Sequence, residues 1–273
     1  MKASLLLAGV IGDPVAHSRS PRLHGHWLRR YGINGHYVPL HVRPADLAET
    51  LRLLPRLGFV GLNVTLPHKH AALALADRVT PLADRIGAAN TLLFTETGIE
   101  ADNTDAYGFS RNILAAHPDW APETVALVGA GGASRAVIVA LIDAGATEIR
   151  LTNRTPARAE ELAGDFGDVL TLVPWAERAA MLDGCDTLVN GTSMGMQGNP
   201  PLDLDLSALP NTAIVTDLVY TPLETPLLAA ARARGNSCVD GLGMLLHQAA
   251  PGFERWFGTR PEVDADLRAA VLA

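Results

Sequence analysis

Cysteine is scarce, with Cys185 and Cys238 the two in 273 residues. They lie far apart, and neither has a second Cys or a paired His at metal-ligand spacing, so a disulfide framework is excluded and a reducing compartment is implied. Both read as plain buried thiols. Cationic charge is short too: 22 Lys and Arg against 29 Asp and Glu leave a net charge of −7, with no long basic run. A polyanion partner needs that footprint, so no nucleic acid is expected. No apolar stretch approaches the ~20 residues of a membrane-spanning helix, so no membrane is expected either. The nearest thing to a secretory leader is Lys2 followed by the apolar run Ala3 to Ile11. It is short and enters Gly12-Asp13-Pro14 without a small-x-small cleavage site, so it reads as a first buried strand of a cytoplasmic protein. The histidine pairs His24/His26 and His68/His70 are spaced two apart, which on a helix points them to different faces. No metal site is expected from them. Internal repeats and low-complexity linkers are also missing.

What is present is a packed α/β chain. With 48% apolar and 19% charged residues, the length suffices for two domains with sizeable cores. "SLLLAGVIG" reads as a strand, "SPRLHGHWLRRYG" as a capped helix ending at Gly32, "GHYVPLHV" as a strand, "PADLAETLRLLPRLG" as a helix and "FVGLNVTL" as a strand. This rhythm predicts a mostly parallel α/β sheet over the first hundred or so residues. A second series restarts near residue 110 with "TVALVGAGGASRAVIVALIDAGA", then the strand "EIRLTNR" and the helix "TPARAEELAGDFG". Further strands are expected at "DTLVNGT" and "AIVTDLVY", and the chain closes with "GLGMLLHQAAPGFERWFG" and a short helix.

In "VALVGAGGAS", Gly129, Gly131 and Ser134 occupy the three positions of the G-x-G-x-x-G dinucleotide fingerprint. The first permits a tight turn, the second brings backbone N–H groups to a pyrophosphate, and the third needs only a small side chain for packing. The match gains weight from its context, after a strand and opening a helix. At the end of the next strand, where an Asp or Glu would hold the ribose hydroxyls of NAD, stand Asn153, Arg154 and Thr155, then Arg158. The two guanidinium groups, spaced i,i+4, suit a 2′-phosphate and favour NADP. The alternative is that Arg158 pairs with Glu160 or Glu161 on a solvated face.

A nicotinamide cofactor supplies hydride, so the chain must supply a proton carrier and a substrate site. In "HSRSPRLH", Ser20 precedes Pro21 in an N-cap/N1 arrangement, which puts Ser18 and Ser20 at a helix N-terminus suited to a carboxylate. Capping alone also accounts for Ser20. In "NVTLPHKH", Pro67 suits a first helical turn, which leaves Lys69 at the positive end of that helix. Burial and the dipole favour a neutral amine there, whereas a neighbouring carboxylate favours the charged one. Asp102 and Asp105, in "EADNTDAYGF", are the candidate carboxylates; the alternative is an ordinary turn and cap.

Together these stretches resemble the shikimate dehydrogenase family. "IGDPVAHSRSPRLH", "NVTLPHK", "AANTL", "DNTDAYGF", "VGAGGASRA", "TNRTPAR", "NGTSMGM" and "DGLGMLLHQA" occur in the family's order and spacing over nearly the whole chain. The resemblance implies a substrate domain at 1–108, a Rossmann-type NADP domain at 109–240, and helices at 241–273 returning to the first domain, with a cleft between the two domains. It implies NADPH-dependent, reversible reduction of 3-dehydroshikimate to shikimate in aromatic amino-acid biosynthesis by a monomer or homodimer. Lys69 and Asp105 would be the catalytic pair. Ser18 and Ser20 would hold the substrate carboxylate, with Thr65, Asn90, Tyr220 and Gln248 about its ring and Asp105 on a hydroxyl. Gly129, Ala130, Gly131, Gly132, Ala133, Asn153, Arg154, Thr155 and Arg158 would hold NADP, with Leu218 and Gly241 by the nicotinamide. Departures are Ala89 where the family often has Val, His68 where Phe is common, and Leu218 where many members have Met. Competing expectations are an NAD-preferring quinate/shikimate dehydrogenase and a non-catalytic NADP-binding sensor.

Overall fold

The computed structural model describes residues 5–273; Lys2, Ala3 and Ser4, the start of the expected first strand, lie outside them. The chain forms two compact units. One comprises the chain up to Gly108 together with Leu245–Ala273, the other Phe109–Met244.

In the first unit the order is β1 (Leu6–Gly12), α1 (Ser20–Arg30), β2 (Gly35–His41), α2 (Leu47–Leu53), β3 (Phe59–Val64), α3 (Lys69–Ala74), β4 (Arg78–Val79), α4 (Pro81–Ile86), β5 (Thr91–Thr95), β6 (Gly98–Asp102) and α5 (Asp105–Ala116), which runs on into the second unit. The sheet order is β2-β1-β3-β5-β6-β4. The β2, β1 and β3 pairings are parallel as expected. The sequence reading missed the hairpin of β5 and β6, which pairs antiparallel with β3 and with itself. The helix expected over residues 44–58 is split, because Pro44 and Pro55 confine regular hydrogen bonding to α2 and leave single 3₁₀ turns on either side. Ile11, Leu47, Leu51, Leu62, Val64 and Leu92 make one core cluster. His24, Trp27 and Tyr37 meet Phe253 and Trp256 in an aromatic cluster.

The second unit runs β7 (Thr124–Val128), α6 (Ser134–Asp143), β8 (Glu148–Thr152), α7 (Pro156–Phe166), β9 (Leu170–Leu172), β10 (Thr187–Asn190), β11 (Ile214–Asp217), α8 (Pro226–Ala233) and β12 (Ser237–Val239). Its sheet is parallel throughout, in the order β12-β11-β10-β7-β8-β9. Renumbered from β7, that is the doubly wound 3-2-1-4-5-6 order, whose direction reverses between β7 and β10. Four of the five β7 residues are buried, the all-apolar pattern of a strand covered on both faces. Cys185 is buried and Cys238 half-buried, both as free thiols. Burial pushes the Cys185 thiol up to about 11, so it stays protonated and inert at neutral pH. The chain ends in α9 (Leu242–Phe257) and α10 (Ala265–Leu272).

Candidate active site

Strand β3 stops at Val64, and the chain turns through Thr65, Leu66 and Pro67, with a cis bond before Pro67. Pro67 therefore precedes α3 instead of forming its first turn, and Lys69 is the first helical residue. Its position at the positive helix end, unfavourable for a lone cation, is balanced by Asp105, whose Oδ2 lies 2.5 Å from Lys69 Nζ. Asp105 in turn opens α5, and Asn103 Oδ1 caps that helix by accepting the Asp105 N–H at 2.9 Å. The lysine and aspartate side chains are 14% and 10% exposed, so the pair is shielded yet reachable.

Asn90 fixes the other side of the carboxylate. Its Nδ2 donates to Asp105 Oδ1 at 2.7 Å and to Gln248 Oε1 at 3.2 Å. Its Oδ1 accepts the Thr104 N–H and the Thr91 hydroxyl, each at 2.8 Å. Gln248, from α9, is held by a bond from its own Nε2 to Leu245 O. Structure thus separates the two candidate carboxylates. Asp105 meets Lys69, whereas Asp102 accepts from the Thr80 hydroxyl and Arg255.

At the start of α1 the cap position belongs to Arg19, not Ser20. Ser20 is the first helical residue, Pro21 falls within the first turn, where no intrahelical N–H bond is lost, and Ser18 Oγ accepts the Ser20 N–H at 3.3 Å. Ser20 is buried, and the Tyr37 hydroxyl donates to Asn63 Oδ1 at 2.7 Å. Asn63 Nδ2 donates to Asn90 O at 3.2 Å. Tyr37, Asn63 and Asn90 therefore form one continuous buried network. Tyr37 and Asn63 escaped the sequence reading, since β-strand residues distant in sequence show no spacing signal. Beneath Tyr37 the His24 ring stacks at 3.9 Å. Burial pulls His24 down to about 3, opposed weakly by Asn63, and neither ring nitrogen has a hydrogen-bond partner of normal geometry among the described residues. His68 is buried and places Nε2 2.6 Å from Val42 O.

In the second unit, Gly129 has φ +107, and a Cβ there would lie 2.6 Å from Thr192 Cγ2, so only glycine fits the turn. Ser134 does more than pack: its hydroxyl donates to Gly129 O and accepts the Gly131 N–H, both at 2.9 Å. Asn153 Oδ1 accepts the Ala130 N–H at 3.1 Å. The next amides, of Gly132 and Ala133, stand at the start of α6, where backbone N–H groups and the dipole suit a phosphate. Arg154, Thr155 and Arg158 are exposed just after β8. Arg154 precedes the N-cap Thr155, so the helical i,i+4 relation to Arg158 does not apply. Neither arginine enters the ion pairs of this region, which join Arg135 to Asp165 and Arg150 to Glu148. An accessible phosphate cradle with unspent guanidinium groups beside it fits NADP.

The ends of β10 and β11 flank that loop. Leu218 donates its N–H to Asn190 O at 3.0 Å, and any Cβ on Gly241 would strike the Leu218 carbonyl. Leu218 and Gly241 are thereby brought together. Tyr220 follows, half-buried.

A doubly wound sheet with this loop, and a shielded amine–carboxylate pair, define a dinucleotide-dependent oxidoreductase acting on a CH–OH group. Family profiles agree: the shikimate dehydrogenase substrate binding domain matches residues 10–92, shikimate / quinate 5-dehydrogenase residues 112–196, and the shikimate 5′-dehydrogenase C-terminal domain residues 241–271. The chain is 63% identical over 270 residues to the NADP(+) shikimate dehydrogenase of Paracoccus denitrificans, covering 98% of this chain and 96% of that one. It is 58% identical over 276 residues to that of Paramagnetospirillum magneticum, with both chains fully covered. Among solved structures it resembles Thermus thermophilus shikimate 5-dehydrogenase in complex with NADP(H) and shikimate, with TM-score 0.88, 39% identity and 98% of each chain covered. It also resembles Corynebacterium glutamicum quinate dehydrogenase in complex with NAD, with TM-score 0.92, 34% identity, and 98% of this chain and 99% of that one covered. The chain belongs to the NADP-dependent shikimate dehydrogenase family.

Proposed function

We propose that the chain reduces 3-dehydroshikimate to shikimate with NADPH, reversibly, and that Lys69 moves the proton. The observation that carries this is the 2.5 Å contact of Lys69 Nζ with Asp105 Oδ2, with Asn90 on the other carboxylate oxygen. NADPH, when bound, supplies the hydride. Lys69 gives its proton to the carbonyl oxygen as negative charge develops there, and takes it back in oxidation. Asp105 holds the amine in place and accepts a hydrogen bond from a substrate hydroxyl. Ser18 and Ser20 hold the carboxylate at the start of α1, while Thr65, Asn90, Tyr220 and Gln248 meet the ring. Gly129 to Ala133 with Asn153 hold the pyrophosphate end, Arg154, Thr155 and Arg158 the 2′-phosphate, and Leu218 and Gly241 flank the nicotinamide. The domains run 1–108, 109–240 and 241–273. Two free cysteines are in keeping with a cytoplasmic enzyme, acting as a monomer or homodimer.

The likeness to a quinate dehydrogenase with NAD supplies a second reading. Unpaired Arg154 and Arg158 weigh against it, since they favour a 2′-phosphate. Purified protein is expected to oxidise NADPH on addition of 3-dehydroshikimate, with kcat/KM for NADPH well above that for NADH and shikimate preferred to quinate. No acceleration by 3-dehydroshikimate would sink the first reading; preference for NADH and quinate would establish the second.

A further inference from the structure

We propose that Asp217, at the end of β11, is the positioning residue that shapes the nicotinamide half of the dinucleotide site. The inference rests on the reading that Leu218 and Gly241 flank the nicotinamide.

Asp217 is fully buried, yet its carboxylate is completely engaged. Oδ1 accepts the Val219 N–H at 2.9 Å and Asn190 Nδ2 at 3.0 Å, and Oδ2 accepts the Thr225 hydroxyl at 2.7 Å. The donors come from three separate segments: the chain just past β11, the end of β10, and the cap of α8. A buried charge is costly without such partners, and an apolar residue could fill the same volume without that cost. A carboxylate here therefore specifies where its three donors sit.

Each donor controls something at the site. The Val219 bond fixes the bend immediately after Leu218, so it sets the direction of that side chain. Asn190, held through Nδ2, uses Oδ1 to accept the Thr192 N–H at 3.0 Å and hydroxyl at 2.7 Å. Thr192 is the residue that packs where Gly129 has no side chain. Gly241 closes on the carbonyl of Leu218 and on that of Asp217 itself, 2.7 Å from where a Cβ would stand. One carboxylate thus sets Leu218, Thr192 and the face that Gly241 covers. Arg154 and Arg158, by contrast, follow β8, which lies beyond β7 in the order β11-β10-β7-β8. The influence of Asp217 falls on one half of the cofactor.

The test compares NADPH with 2′,5′-ADP, which carries the 2′-phosphate and adenosine but no nicotinamide. Losing all three hydrogen bonds, Asp217→Ala should weaken NADPH binding about ten-fold or more, with 2′,5′-ADP binding held within about two-fold. Asp217→Asn should rescue, because an amide oxygen at the Oδ1 position still accepts from Val219 and Asn190. Thr225→Val removes the Oδ2 donor together with the α8 cap that accepts the Leu228 N–H, and should lower Tm without weakening NADPH. If Asp217→Ala fails to fold, Asn190→Ala is expected to show the same selective loss of NADPH. Equal losses of both ligands, no loss of NADPH, or an equal NADPH loss in Thr225→Val would overturn the proposal. Gly241→Ala separates it from its premise. Unchanged NADPH affinity there overturns the nicotinamide placement, whereas a loss there with none in Asp217→Ala overturns the role of Asp217 alone.

Discussion

Lys69 and Asp105 each open a helix, α3 and α5, and the two positive helix ends face a single buried pair. The carboxylate is favoured by both ends and the amine by neither, so Asp105 is what offsets both ends for the amine. Lys69 is one of two lysines in the whole chain, the other being Lys2, a scarcity that singles it out once counted. Replacing Lys69 with Ala should lower kcat by about 10²- to 10⁴-fold, the usual contribution of positioned proton transfer, with a modest change in the KM for shikimate. Steady-state kinetics with an unchanged kcat would remove Lys69 from the mechanism. That a lysine and an aspartate would meet could be suspected from "NVTLPHKH" and "DNTDAYGF". Spacing alone left Asp102 and Asp105 open, because they differ only in which end of a turn they occupy, and it was the family resemblance that chose Asp105.

Among the elements, the turn from β7 into α6 was legible at once, because glycine spacing encodes backbone conformation directly. The work of Ser134 was not. The sequence suggests a small packing residue, whereas the hydroxyl joins the Gly129 carbonyl to the Gly131 amide. Ser134→Ala leaves the buried Gly129 carbonyl without that partner, while the exposed Gly131 amide can turn to water, and should cost about 1–3 kcal/mol, read as a lower denaturation midpoint at unchanged m-value. A midpoint equal to that of the parent protein would reduce Ser134 to packing alone. Other elements stayed hidden for simpler reasons. Strands β9 and β12 have three residues each, too few for a period, and the β5–β6 hairpin interrupts an otherwise parallel rhythm.

Over the whole molecule, His24 links stability to pH. With its native value lowered to about 3 by burial, His24 stays neutral when folded, while the unfolded chain binds a proton below about 6.5. The unfolded state then holds more protons, so stability falls as pH drops from about 6.5 toward 3, by up to about 1.4 kcal/mol per unit from this group. Urea denaturation between pH 4 and 7 should show a shallower slope for His24→Leu than for the parent protein. Parallel slopes would mean that His24 titrates normally. The two-unit architecture was readable in outline from the restart of the pattern near residue 110, but which strands share a sheet edge was not.

The first unit takes its α9 and α10 from the end of the chain. Trp256 Nε1 donates to Leu92 O, Trp27 Nε1 to Glu262 O, and Arg30 pairs with Asp264. On the ribosome the sequence of the second unit is complete before these pieces exist, so the first unit, begun earlier, is completed later. Asn90, although made early, gains Gln248 as an acceptor only once α9 has been made, and a chain that stops before α9 keeps the Gly-rich loop but lacks that bond beside the Lys69–Asp105 pair.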